Sequence, residues 1–167
     1  DGTIAAVGWS GSDLLAARLL PDGTPDPSFG VGGSVVHVGV QQGQDVALDP
    51  TGRMVVATTV LGVVDELAAV RLTTTGALDT TFSGDGIASS PLGMTESYAR
   101  GRGVDIQGDG RIVVTGTLQR SGSSAWQDDI ALVPLVRFGS TRADSSPRVS
   151  EPPWVGSGSP ALRGAAW

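Results

Sequence analysis

The chain contains no cysteine, no lysine and no asparagine. Without cysteine it cannot form disulfides, thiolate metal sites or a cysteine nucleophile, and without asparagine it has no N-glycosylation acceptor. A P-loop requires a lysine, so that phosphate site is excluded as well. Only scattered arginines supply positive charge, and the net charge is −6. Because a nucleic acid or an anionic membrane binds to a basic face, neither is an expected partner.

Long apolar runs are also missing, and none approaches the ~18 residues of a membrane span. The first residues, DGTIAAVGWS, lack the basic start and apolar core of a signal peptide. Such a beginning is typical of a segment from within a longer chain, and we expect the sequence to be a fragment.

Residues that form turns are abundant, with 25 glycines and 10 prolines in 167 residues. Their share is well above the usual content and favours many turns between short strands. The length corresponds to about one domain, which is enough to bury a sizeable core.

The turn residues recur at a fixed spacing. GTPDPSFGVGG at 23–33 is matched by GALDTTFSGDG 53 positions later, at 76–86. A turn glycine followed by a short apolar run occurs three times, at Gly2, Gly52 and Gly110. The runs LLAARLLPDG at 14–23, LAAVRLTTTG at 67–76 and IALVPLVRFG at 130–139 form a third set. This self-similarity predicts a repeat architecture over 1–138, with repeats of about 1–43, 44–100 and 101–138.

Each repeat holds four short apolar segments, which in the middle copy are 44–49, 53–60, 66–73 and 86–91. Their length and their valine, isoleucine and threonine content indicate strands. Helix is the alternative for 12–20 and 65–72, where alanine, leucine and arginine are good helix formers. Strand is preferred because these runs are only about two helical turns long and the third copy contains Pro134.

Four antiparallel strands per repeat predict an all-β fold of blades, a β-propeller-like repeat with about two and a half blades present. Such a partial propeller exposes sheet faces and edges. Further blades of the same parent protein, or self-association, are therefore expected partners.

In the segments 14–33 and 67–86 the sequence resembles the bacterial delta-60 repeat. The hallmark of that repeat is an arginine, a polar turn, Leu-Asp-x-x-Phe and a glycine-rich end. The resemblance covers about 1–138, although Pro134 stands where the third arginine should be. It implies a β-propeller-like repeat of exported or surface proteins with no assigned chemistry. The motif positions in the two full copies are Arg18, Gly23, Asp26, Phe29, Gly33, Arg71, Gly76, Asp79, Phe82 and Gly86.

We assign these positions a structural role. Asp26 and Asp79 should hold backbone N–H groups of the turn, while Phe29 and Phe82 pack under the next blade. The arginines, Arg18 and Arg71, are expected to pair with these aspartates.

Candidate chemical groups are few. His37, the only histidine, lies among valines on a predicted strand face, where no carboxylate can be assigned to it. The stretch GWSGS at 8–12 fails the Gly-x-Ser-x-Gly pattern of a nucleophile elbow and is interpreted as a turn between strands. No cofactor is expected; calcium is considered, because several aspartates lie in turns, but neither of its loop motifs is present. The aspartates in question are Asp22, Asp26, Asp85, Asp105 and Asp109.

Residues 139–167 keep no period and are rich in serine, proline and glycine, as in a linker or disordered tail. Trp154 and Trp167 are candidates for docking on an exposed blade face. The variable loop PLGMTESYARGR at 91–102 is a candidate contact surface.

Three functions remain open on these grounds. The first is a non-catalytic structural or binding module of a bacterial extracellular or cell-surface protein, which presents loops to a protein or a glycan. The second is a fragment of a propeller enzyme of the hydrolase type, with an active site that needs missing blades. The third is an inert spacer in a surface fibre.

Overall fold

The computed structural model describes residues 2–62, 65–90, 97–120 and 129–137. Within these ranges the secondary-structure elements are all β-strands, and all pairings between strands are antiparallel. The strands are β1 (Ile4–Ser10), β2 (Asp13–Leu19), β3 (Ser34–Gln41), β4 (Asp45–Leu48), β5 (Met54–Val60), β6 (Glu66–Leu72), β7 (Ile87–Ser90), β8 (Ser97–Ile106), β9 (Arg111–Arg120) and β10 (Asp129–Arg137). The all-β prediction is confirmed, and the stretches for which helix was the alternative form β2 and β6.

Three sheets follow one another along the chain. The middle sheet has the order β4-β5-β6-β7, a complete four-stranded blade. The first sheet, β1-β2-β3, corresponds to the last three strands of that blade, and the third sheet, β8-β9-β10, to its first three. In the ranges that the structure describes, the chain is thus a partial propeller of one complete and two incomplete blades.

A glycine with positive φ lies in the turn before β5 and in the turn before β9, which are equivalent strands of their blades. Gly52 has φ 81° and Gly110 has φ 82°, a region that glycine enters at low steric cost. The N–H of Gly52 donates to the carbonyl of Asp49 at 2.9 Å, and the N–H of Gly110 donates to that of Gln107 at 2.8 Å. The same hydrogen bond therefore closes the turn that enters β5 and the turn that enters β9.

The middle blade is buried on both faces. Successive residues of a strand point to opposite faces, so Met54 and Val56 pack towards the first blade while Val55 and Ala57 pack towards the third. All four are 0% exposed. This double burial explains why β5 is nearly continuous in apolar residues.

Candidate functional site at the blade interfaces

The motif of the first blade is a compact network around Asp26. The Nε of Arg18 donates to Asp26 Oδ2 at 2.7 Å, and its Nη2 donates to Ser28 Oγ at 2.9 Å. The backbone N–H and the hydroxyl of Ser28 both donate to Asp26 Oδ1, at 2.9 and 2.7 Å. The guanidinium of Arg18 lies 5.0 Å from the ring centroid of Phe29, within cation–π range.

The middle blade repeats this network atom for atom. Arg71 Nε donates to Asp79 Oδ2 at 2.8 Å, and Arg71 Nη2 donates to Thr81 Oγ1 at 3.1 Å. Thr81 takes the place of Ser28 and donates its N–H and hydroxyl to Asp79 Oδ1, at 3.1 and 2.6 Å. The Arg71 guanidinium lies 4.6 Å from the centroid of the Phe82 ring.

The glycine at the end of each motif forms a backbone hydrogen bond with the arginine at its start. The carbonyl of Gly33 accepts the N–H of Arg18 at 2.8 Å, and that of Gly86 accepts the N–H of Arg71 at 2.9 Å. Both glycines have positive φ, 83° and 91°. A Cβ on Gly33 would lie 2.8 Å from Pro25 Cβ, and one on Gly86 would lie 3.1 Å from Leu78 Cβ. Only glycine fits these positions without displacing the turn.

The phenylalanine of each motif is buried by the following blade. Phe29 is 0% exposed in a cluster that includes Met54 and Val70 of the middle blade. Phe82 is 1% exposed and shares a cluster with Ile112 and Val114 of the third. The two rings therefore occupy equivalent surroundings, under the next blade along the chain.

Polar contacts join the first two blades beside the Phe29 ring. The N–H of Gly30 donates to the carbonyl of Thr75 at 3.0 Å, and His37 Nε2 lies 2.8 Å from the carbonyl oxygen of Gly76. A Cβ on Gly76 would lie 3.2 Å from Phe29 Cζ. Gly76 thus serves its own turn and also leaves room for the aromatic ring of the preceding blade.

Two members of the middle network, Arg53 and Asp49, were not predicted from the sequence. Arg53 Nε donates to Asp49 Oδ2 at 2.6 Å, and Arg53 Nη1 donates to Asp79 Oδ2 at 3.0 Å. Asp79 therefore lies between two guanidinium groups, those of Arg53 and Arg71. The available signal was the arginine that follows the turn glycine in both TGR at 51–53 and DGR at 109–111.

The charged form of each motif carboxylate is stabilised. Burial by itself raises the pKa of Asp79, but hydrogen bonds from Thr81 and the charge of Arg71 lower it further than burial raises it. The pKa of Asp26 is lowered chiefly by the Ser28 hydroxyl and N–H, with a contribution from Arg18. For Arg71, burial and then the charge of Arg53 lower the guanidinium pKa, and Asp79 opposes this effect.

The other candidate groups lie apart from one another. His37 lies on β3 with its Nε2 on the Gly76 carbonyl, and GWSGS forms the hairpin between β1 and β2, where Ser10 pairs with Asp13. Asp22 Oδ1 accepts the Thr24 N–H at 2.9 Å, as expected for a turn carboxylate.

Two further aspartates also accept a backbone N–H of their own turn. Asp85 Oδ1 accepts the N–H of Ile87 at 2.9 Å, and Asp109 Oδ1 accepts the N–H of Arg111 at 3.1 Å. Asp105 is exposed on β8. In the described ranges, no three His, Asp or Glu side chains are grouped so that they could hold a metal ion.

Several sequence predictions fall on residues that the structure does not describe. They concern the tail at 139–167 with Trp154 and Trp167, the end of the third repeat, and residues 91–96 of the variable loop. In the part that is described, no helix has the length and apolar character needed to cross a bilayer.

Chemically, the motif is an ion-pair network. Its carboxylate oxygens accept local N–H, hydroxyl and guanidinium groups, and its aromatic ring is enclosed by the neighbouring blade. Such an arrangement connects a turn to the next blade.

Comparison with known proteins agrees with the fold. Residues 1–29 and 50–82 match a family model described as "Domain of unknown function (DUF5122) beta-propeller". Each matched segment begins just before a turn glycine and ends on a motif phenylalanine, Phe29 or Phe82. No curated protein and no solved structure matches the chain. The family model and the three sheets together identify these segments as β-propeller repeats.

Proposed function

We propose that the chain is a non-catalytic structural and binding module of the delta-60 type from a bacterial exported or cell-surface protein. The observation that carries this proposal is the repeated network of arginine, aspartate and phenylalanine. Both copies use their charged groups to fix a turn and their ring to fill the next blade. The repeated charged and aromatic residues are thereby used to assemble the blades, which leaves recognition to the connecting loops.

The proposed module takes no cofactor. Its partners are further blades of the parent protein or a second copy, together with a protein or glycan ligand on the loop surface. It binds neither nucleic acid nor the membrane interior, in keeping with the net charge of −6.

One loop surface offers a candidate binding site. The turns between β4 and β5 and between β8 and β9 border an open groove of ≈ 450 Å³, with Leu48 and Pro50 on one side and Ile106 and Gln107 on the other. Leu48 is 39% exposed, so apolar surface is available there to a ligand. A groove between the turns of neighbouring blades is a common position for a binding site on a constant frame.

The test has two arms. Surface proteolysis of intact cells that express the parent gene should release peptides of this chain, and retention of the intact chain inside the cells would contradict export. The purified chain should retain ligands on protein and glycan arrays, and Leu48→Glu should abolish that retention.

Leu61→Glu is the matched control for the array. Leu61 is 58% exposed at the opposite end of β5, so it carries the same new charge away from the groove. Equal loss in both variants, or turnover of any hydrolase substrate by the purified chain, would overturn the proposal.

A further inference from the structure

The outer face of the first blade is apolar and partly exposed, whereas the equivalent face of the middle blade is buried. Ile4 of β1 is 47% exposed, whereas Met54, at the equivalent position of β5, is 0% exposed. Ala6 is exposed and Val56 is buried in the same way. The difference arises because the first blade covers that face of the middle blade, while no described residue covers the first.

The correspondence extends across the sheet. Ile4 pairs with Leu19 and Ala6 pairs with Ala17, in the register by which Met54 pairs with Leu72 and Val56 with Val70. Cross-strand partners share a face, so the outer side chains of the first blade form one continuous patch. We define this acceptor face by five residues: Ile4, Ala6, Leu15, Ala17 and Leu19.

A second observation marks the position of an aromatic ring. In the middle blade a Cβ on Gly76 would lie 3.2 Å from Phe29 Cζ. Gly23, the equivalent glycine of the first blade, has φ +84° and nothing within 4 Å of its Cβ position. The same turn is therefore present with the space over it open, where the middle blade receives a phenylalanine.

A third observation concerns the edge of the sheet. In the middle blade β4 pairs with β5, from Asp45 opposite Ala57 to Leu48 opposite Met54. Within the described ranges no strand pairs with the corresponding edge of β1. One preceding repeat, joined through the turn at Gly2, would supply both this strand and the blade that covers the face.

We propose, resting on the module function above, that the acceptor face binds a preceding blade of the same repeat in the same polypeptide. The phenylalanine of that blade lies over Gly23, as Phe29 lies over Gly76. The N–H after this phenylalanine donates to the carbonyl of Asp22, the counterpart of Thr75. A strand equivalent to β4 pairs with β1.

The probe is an extended chain in which residues 1–50 are repeated ahead of residue 1. Its junction places Asp1 and Gly2 after Pro50, in the position of Thr51 and Gly52. Because the chain has no cysteine, a single Ile4→Cys substitution in the original copy reports on the acceptor face alone. The maleimide labelling rate of this thiol should be at least about tenfold slower in the extended chain than in the 167-residue chain.

Two controls accompany the labelling experiment. Leu61→Cys, far from the acceptor face, should label at the same rate in both chains. Phe29→Ala in the added copy alone should restore part of the fast labelling of Ile4→Cys. Equal labelling of Ile4→Cys in both chains would overturn the proposal.

The 167-residue chain itself provides a second readout. Ile4→Glu should shift its melting temperature by less than about 2 °C, whereas Met54→Glu should abolish cooperative unfolding. Equal damage by both would overturn the proposal, because the acceptor face would then already be covered.

A dimer in light scattering whose Ile4→Cys labelling accelerates on dilution would assign the face to a second copy, and so overturn the assignment to a preceding repeat. These measurements depend on neither export nor ligand binding. Their failure is therefore distinguishable from failure of the proposed function.

Discussion

Replacing Asp79 by asparagine should lower the free energy of unfolding by about 3–5 kcal/mol. Asp79 accepts Nε of Arg71 at 2.8 Å and Nη1 of Arg53 at 3.0 Å. The Arg71 side chain is only 1% exposed, so water cannot replace the lost negative charge. The neutral amide would leave two guanidinium groups facing one another, with Asp49 as the nearby carboxylate that pairs with Arg53.

The matched control is Asp109→Asn. Asp109 forms the same type of ion pair, with Arg111 at 2.7 Å, but its side chain is 43% exposed and that of Arg111 is 49% exposed. Exposed pairs contribute little, so this substitution should cost less than about 1 kcal/mol. Both variants keep a side-chain oxygen for the local turn N–H, so the comparison isolates the loss of the negative charge at a buried site with two arginines and at an exposed site with one.

Urea titration followed by far-UV circular dichroism gives the two free energies. The denaturant slope should stay constant, because neither substitution changes the surface exposed on unfolding. If Asp79→Asn costs no more than Asp109→Asn, the buried network is not what holds the turn to the blade, and the structural role of the motif is refuted.

Three further predictions follow from the same contacts. Gly86→Ala should lower the melting temperature more than Gly84→Ala does. Both glycines have positive φ, which costs an alanine about 1–2 kcal/mol at either position. Only at Gly86 does the new Cβ also meet another atom, Leu78 Cβ at 3.1 Å. His37→Ala should cost about 1 kcal/mol in urea titration, since its Nε2 contact to the next blade is 2.8 Å long. Because the pKa of Asp79 is lowered in the folded chain, its contribution is present above the unfolded value of 3.8 and lost as pH falls through the folded value. The melting temperature, measured over an acid series, should therefore decrease at pH values below about 4. In Asp79→Asn this decrease should be less steep.

The strands of the complete blade could be predicted from the sequence because their boundaries are set locally. The predicted segments 53–60 and 66–73 correspond to β5, Met54–Val60, and β6, Glu66–Leu72. Turn glycines with positive φ mark the ends of these runs, and this preference is a property of the residue itself. The pairing of Arg71 with Asp79 was accessible for a similar reason, since both lie in one repeat and recur in the other copy.

That the phenylalanines pack under the next blade was predicted, but the residues that they contact there could not be predicted in the same way. The repeat identifies Gly23 with Gly76, but it does not say that Phe29 lies against the second of these glycines. That contact depends on how two sheets stack, and a single repeat carries no information about the rotation between neighbours. The link from Arg53 to Asp79 was missed because the two lie 26 positions apart, on either side of the β5–β6 hairpin.

The position of the phenylalanine has a consequence for the stability of the array. Phe29 is fixed by the arginine and aspartate of its own blade, yet it is buried by residues of the next. Each blade thus completes the core of its neighbour, and stability becomes a sum of blade and interface contributions, as in other repeat proteins. The middle blade has two such interfaces, while the described part of the first has one. Local unfolding should consequently begin in the outer blades and reach β5 last.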